Sequence, residues 1–220
     1  MLAGAVLTGA VLLGAAGCSG MDEASAAGTA RDDLVSALID QLTAGSALSY
    51  TATYQLAGGQ TATVVRAQRP SRAAYDFPGG MLIVTPTATI RCQGDGTAPT
   101  CTKTVPDRTA AANLTGTPLV TPEAALAMLN TATLDPDVVA EQHDTTIAGR
   151  HATCLDLSRV DGTPAREFGI CVTNEGALAS FVATINGDRT DLALTAYSDR
   201  PTPDAFSLPA AAKLTDKRPS

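Results

Sequence analysis

Five cysteines and two histidines carry most of the reactive chemistry in this chain of 220 residues. Four of the cysteines form two local pairs, Cys92 with Cys101 and Cys154 with Cys171, and each pair brackets a turn-like stretch, QGDGTAPT in one and a segment containing VDGTPA in the other. Facing residues of an antiparallel hairpin lie about 4.5–5.5 Å apart at Cα, within reach of a disulfide. In the second pair, Leu155 and Leu157 share one face of their strand and Phe168, Ile170 and Val172 one face of theirs, which turns both thiols outward. Two structural disulfides are therefore expected. Neither pair has the CxxC spacing or an adjacent histidine that a zinc or redox site would need. His143, Asp144 and His151 flank a Gly-Arg turn without a third convergent ligand, so they read as surface loop residues and no metal is expected. No G-x-S-x-G, H-E-x-x-H, P-loop or dinucleotide fingerprint is present. The expectation is a protein without catalytic residues or cofactor.

The fifth cysteine stands apart. Residues 2–17 are uncharged and apolar or small throughout, slightly short of the roughly 18–20 residues of a membrane-spanning helix, and they end in Ala15-Ala16-Gly17-Cys18-Ser19-Gly20. An apolar run closed by small residues is a secretory signal. A cysteine directly after it resembles the bacterial lipobox, which makes Cys18 the acylated first residue of the mature chain. Ala15 stands where the lipobox usually has Leu. No Lys or Arg precedes the apolar run, which points to a true start upstream of Met1. The expected divisions are a signal peptide over 1–17, a flexible tether over 18–30, one domain over 31–209 and a disordered tail over 210–220.

Composition narrows the partners. Hydrophobic residues make up 45%, so a core can form, whereas charged residues are only 17% and the net charge is −7. The basic residues form no run, which argues against nucleic acid, whose affinity comes from neutralising phosphates. Twelve of the fifteen basic residues are Arg and Ala is abundant, as in a GC-rich bacterial genome.

The elements that must position these residues are mostly strands. Residues 31–44 read as a helix, with Leu34, Val35, Leu38, Ile39 and Leu42 on one face, Asp32 and Asp33 in the first turn and Gly45 as the stop. About six short strands follow between 48 and 105 as an antiparallel meander. The first is cleanly alternating, with Tyr50, Ala52, Tyr54 and Leu56 on one side. Residues 106–121 read as a polar connection, Thr121-Pro122-Glu123 opens a helix running to about 130, and Asp135-Pro136-Asp137 opens another through about 142. Four or five strands between 145 and 197 complete a single α+β domain with about 10–11 strands.

This order resembles the LolA-like superfamily, which includes the lipoprotein carrier LolA, the N-terminal domain of the sigma-factor regulator RseB and the mycobacterial LppX and LprG lipoproteins. The resemblance rests on Ser49-Tyr50-Thr51-Ala52-Thr53-Tyr54, on Val65-Arg66-Ala67-Gln68-Arg69-Pro70-Ser71-Arg72 and on the closing Pro203-Asp204-Ala205-Phe206-Ser207-Leu208-Pro209. The hairpin around Ala148–Cys154 and Ile170–Val172 is similar to a disulfide hairpin of actinobacterial lipoproteins. The resemblance implies a strongly curved antiparallel sheet, a half-barrel, with an N-terminal helix and a helical insertion covering its concave face. It implies a non-catalytic envelope lipoprotein, anchored on the outer face of the cytoplasmic membrane, that holds a lipid, glycolipid or acylated partner and acts as a monomer. Alternation alone nominates Tyr50, Tyr54, Val64, Tyr75, Phe77, Ile90, Phe168, Ile170 and Val172 as the apolar lining, with core packing the simpler role for the two tyrosines of the first strand. An envelope sensor working by protein contacts, and a structural lipoprotein with a plugged cavity, are the competing expectations.

Overall fold

Among the described residues, period-two alternation and turn residues build twelve strands into one sheet, and two helices supply the apolar stripes that cover it. The computed structural model describes residues 19–94, 98–114, 116–185 and 187–219, with side chains from Ala30 onward; the expected signal peptide and Cys18 lie outside the described residues. Helix α1 is Ser19–Gly45 and helix α2 is Pro122–Ala132. The strands are β1 Tyr50–Leu56, β2 Thr61–Gln68, β3 Ser71–Phe77, β4 Gly80–Val84, β5 Thr89–Gln93 and β6 Thr100–Thr104 before α2. After it come β7 Val139–Ile147, β8 Arg150–Ser158, β9 Phe168–Thr173, β10 Leu178–Ile185, β11 Asp188–Ser198 and β12 Lys213–Asp216. Their order across the sheet is β12-β6-β5-β4-β3-β2-β1-β11-β10-β9-β8-β7, antiparallel throughout except for the parallel β12–β6 pair. The chain thus closes its two meanders side by side through β1 and β11. The sheet is curved and unclosed: β7 still touches β11, four positions away, while β12 and β7 remain its two ends.

One face of the sheet carries the main core. Val35, Leu38 and Leu42 of α1 and Ala125, Leu129 and Ala132 of α2 are buried in one cluster with Ala52, Leu82, Leu155, Phe181 and Leu192 of the strands. Burying each of the larger side chains is worth about 2 kcal/mol. The N-cap of α2 is Thr121, fully buried, whose hydroxyl accepts from the Ala124 N–H at 3.1 Å and donates to the Ala111 carbonyl at 2.9 Å. The opposite, convex face has two small clusters. Val65, Ala74 and Ile83 lie under Ala205, Phe206 and Leu208, and Ala152, Cys154, Cys171 and Ala179 form the second.

Both disulfides form as expected, each joining residues that face each other in the ladder: Cys92 with Cys101 and Cys154 with Cys171, at a Cα separation of 4.0 Å in both. Each is expected to stabilise by about 2–3 kcal/mol through loop closure.

Four expectations change. The helix over 31–44 is part of a longer one that continues back to Ser19, through residues read as tether. The helix expected from Asp135 through 142 is absent: the Asp135 carboxylate instead accepts from the backbone N–H of Asp137 and of Asp161, at 3.0 and 2.9 Å, making a turn that also ties down the β8–β9 loop. Strand β7 then begins at Val139. It is an edge strand with a largely exposed, polar surface, so it lacks the apolar alternation that marks an interior strand. Residues 210–220, read as disordered, contain β12, which brings the sheet to twelve strands and covers the edge of β6 with backbone bonds from Lys213 N–H to the Pro99 carbonyl and Lys217 N–H to the Lys103 carbonyl. Finally, the 106–121 connection is not merely polar, because Ala110, Ala111, Leu114, Leu119 and Val120 join the main core.

Helix α1 is docked by backbone contact. The Gln41 side chain donates to the Thr173 carbonyl at 2.8 Å, and Gly176 in the β9–β10 turn, at φ +96°, packs directly on Gly45. A Cβ on Gly176 would lie 2.4 Å from the Gln41 carbonyl oxygen. Gly176→Ala is therefore expected to cost more than about 2 kcal/mol, whereas Gly58→Ala, also at positive φ but in open space, costs about 1 kcal/mol. Chemical denaturation of both variants checks this; equal losses would contradict it. Tyr54, fully buried, donates to the Leu178 carbonyl at 2.9 Å. Tyr54→Phe is expected to lose about 1–2 kcal/mol by stranding that acceptor, and an unchanged denaturation midpoint would contradict the role.

Candidate functional site

Eight of the nine residues nominated as an apolar lining, Tyr50, Tyr54, Val64, Tyr75, Phe77, Phe168, Ile170 and Val172, do share one face of the sheet, but that face is filled. They lie in the main core at 8% exposure or less, under α1, α2 and the 106–121 segment. Alternation identified the face correctly and could not show what covers it. Ile90 is on the other face, packed with Ile83 and the Phe206 segment, because β5 begins after a turn in which Thr85 caps the Ala88 backbone and resets which side chains point inward. Burial pushes the Tyr50 hydroxyl up to about 12 and holds that of Tyr54 well above the ordinary phenol value, so both phenols are neutral hydrogen-bonding groups.

Free volume remains at the two ends of this filled face. At the end where β1 finishes, a cavity of ≈ 670 Å³ opens between α2, the 112–120 segment and the β10–β11 turn, with Leu114, Pro118, Leu119, Ala124, Ala127 and Met128 among its lining. That volume is within the range of about 300–1,000 Å³ of small-molecule sites. Asp188, Arg189 and Asp191 provide polar groups on one side of it. The N-terminal half of α1 reaches the same end of the molecule: the Arg31 guanidinium donates to the carbonyls of Asp135, at 3.1 Å, and Pro136, at 2.7 Å, just beyond the last turn of α2. The apolar residues Leu114, Pro118, Leu119 and Val120 were the signal in the sequence, hidden by the Thr and Ala around them.

At the other end, where α1 finishes, the site is charged. Arg66 of β2 pairs with Glu123 in the first turn of α2, and the Tyr75 hydroxyl donates to the same carboxylate oxygen at 2.7 Å. Two cavities, ≈ 340 and ≈ 410 Å³, adjoin this pair and share Arg66, Arg108 and Glu123 in their walls. Arg66 keeps its guanidinium charge: burial works against it, and the neighbouring Tyr75 and Tyr50 hydroxyls hold its pKa up. The sequence marks this residue only as a charge interrupting Val64-Val65-Arg66-Ala67.

The convex face holds the histidine. His143 lies opposite Cys154 in the β7–β8 ladder, and its Nδ1 is 3.3 Å from an Asp156 carboxylate oxygen. Its ring nitrogen and the two sulfurs of the Cys154–Cys171 pair lie within 4.8 Å of one another, but those sulfurs are bonded to each other. His151 sits opposite Thr146, three residues before Cys154, so the pleat puts it on the opposite face from His143. A shallow groove of ≈ 710 Å³ nearby is lined by charges of both signs, including Glu141, Asp156, Arg166 and Arg189.

Among the described residues no helix is long and apolar enough to cross a membrane. No protein-family model matches the chain, and no curated protein does. Among solved structures the chain is similar to an uncharacterized conserved protein from Thermus thermophilus, at 12% identity and a TM-score of 0.50, over 83% of this chain and 98% of that one. At that identity the likeness concerns the fold alone.

Proposed function

We propose that the chain is a non-catalytic, extracytoplasmic lipoprotein, tethered through an acylated Cys18, that shelters the hydrocarbon part of an amphiphile within a half-barrel fold. The observation that carries this reading is the ≈ 670 Å³ cavity between α2 and the 112–120 segment, whose lining includes Leu114, Leu119, Ala127 and Met128. Affinity would come from burial, at about 0.8 kcal/mol per methylene sequestered, and needs no specialised polar group. Its location adds support. The cavity and the N-terminal half of α1 are at one end of the molecule, so a tether preceding Ser19 would hold the opening towards the membrane. Two disulfides suit an oxidising compartment outside the cytoplasm. The reading includes a monomer and no nucleic-acid partner. One observation favours a second reading, a structural or scaffolding lipoprotein acting through protein contacts: the inner face of the sheet itself is filled by the protein's own helices.

Two measurements test the proposal. Native mass spectrometry of protein purified from its own host is expected to show a co-purifying lipid mass. A fluorescent fatty-acid probe is expected to bind saturably, and Ala127→Phe, at an exposed position of α2 in the cavity wall, to weaken it at least about tenfold without loss of fold. Lipid-free protein that also fails to bind the probe would reject amphiphile carriage in favour of the scaffolding reading.

A further inference from the structure

The Cys154–Cys171 disulfide has a neighbour that the Cys92–Cys101 disulfide lacks. Both join facing residues across a hairpin, at the same Cα separation of 4.0 Å. On their outer sides Cys92 is paired with Met81 and Cys101 with Leu214, which offer no strong donor to a cation. Cys154 is paired on its outer side with His143 of β7, one of only two histidines in the chain. The β7–β8 register, not proximity in sequence, brings the imidazole to the sulfurs.

Three donor groups therefore converge on the convex face. A His143 ring nitrogen and the sulfurs of Cys154 and Cys171 all lie within 4.8 Å of one another, and no other three His, Cys, Asp or Glu side chains among the described residues are brought together in this way. Asp156 steadies the ring. Its carboxylate oxygen is 3.3 Å from His143 Nδ1, the arrangement in which a carboxylate orients a ligand imidazole. Gly169, which faces Asp156 in the β8–β9 ladder, makes room for that carboxylate, since a Cβ there would lie 2.9 Å from Asp156 Oδ1. Glu141, opposite Asp156 on β7, adds a second carboxylate on the same face. Both sulfurs are buried, whereas His143 is exposed on an edge strand that nothing further in the sheet covers.

We infer that Cys154, Cys171 and His143 form a binding site for a thiophilic divalent cation of the zinc class, closed while the two sulfurs are bonded to each other and opened by reduction. A dithiol reductant supplies two electrons and two protons, closing its own disulfide and leaving both cysteines as thiols. The cation then takes the two sulfurs as thiolates, releasing two protons to solvent, together with one neutral imidazole nitrogen; water supplies the fourth ligand. Zinc sits about 2.3 Å from sulfur and about 2.0–2.1 Å from nitrogen, so its donors lie roughly 3.5–3.8 Å apart, a spacing that rotation of three side chains already within 4.8 Å can reach. The site is on the opposite face of the sheet from the apolar cavity and does not rest on that cavity holding lipid.

The test uses the mature chain carrying Cys18→Ser, so that the four ladder cysteines supply its only thiols. It is reduced with dithiothreitol, freed of reductant without air and titrated with cobalt(II), whose thiolate complexes absorb strongly in the near ultraviolet. About one equivalent is expected to bind the reduced chain and none the oxidised chain. His143→Gln is expected to weaken binding at least about tenfold, while His151→Gln and the double variant Cys92→Ala/Cys101→Ala leave it unchanged. The main core does not include Cys154 or Cys171, so the reduced chain is expected to keep its β-sheet circular dichroism. The inference is overturned by the lack of a cobalt–thiolate band, by a band that His143→Gln leaves at full affinity or that follows Cys92 and Cys101, or by a loss of fold on reduction that cobalt does not restore.

Discussion

A curved sheet with an apolar inner face has to exclude water from that face, and this constraint organises the whole chain. The inward side chains are mainly Ala, Val, Leu and Ile, with a few tyrosines and phenylalanines, and they cannot close the concavity alone. The cover therefore comes from three separate places: α1 from the N-terminus, α2 from the middle, and Ala110, Ala111, Leu114, Leu119 and Val120 from the segment before it. Each is pinned by a specific polar or backbone contact. Gly45 against Gly176 and Gln41 on the Thr173 carbonyl hold α1. Thr121 links α2 to the Ala111 carbonyl, and Arg66 pairs with Glu123. Because three pieces rather than one fill the face, gaps remain where they end, and the two ends differ in character.

Much of this was legible in the amino-acid order, for reasons that can be named. Strands β1–β6 and β8–β11 are interior strands of the sheet, so their alternation and the turns between them carry a signal. The two disulfides follow from that register, since each pair faces directly across a hairpin. What was not legible lies where the signal fails physically. Strand β7 is a polar edge with no buried periodicity, and β12 is four residues long and exposed throughout. Asp135 looked like a helix cap and is a turn acceptor shared by two loops, a distinction that depends on Asp161, which is 26 residues away.

The candidate site shows the same limit. Alternation finds which side chains share a face, and Tyr54, Ile170 and their neighbours do share one. It does not reveal that Leu38 and Leu129 already occupy the space above them, so residues that look like a lining are core. Volume instead survives beside α2, among residues whose apolar character is diluted in sequence by Thr and Ala. Arg66 is similarly invisible from sequence alone, because its importance comes from Glu123 arriving from α2, 57 positions on in the chain. The two histidines, adjacent in a naive reading of the hairpin, are separated by the pleat onto opposite faces.

The protein's own helices occupy the concave face, and under the proposed function a guest's hydrocarbon would enter beside α2. A crystal structure with a brominated fatty acid locates the chain directly through the anomalous signal of bromine. That signal is expected between Met128 and the 114–120 segment. Bromine beside Tyr54 and Ile170, beneath displaced helices, would contradict it.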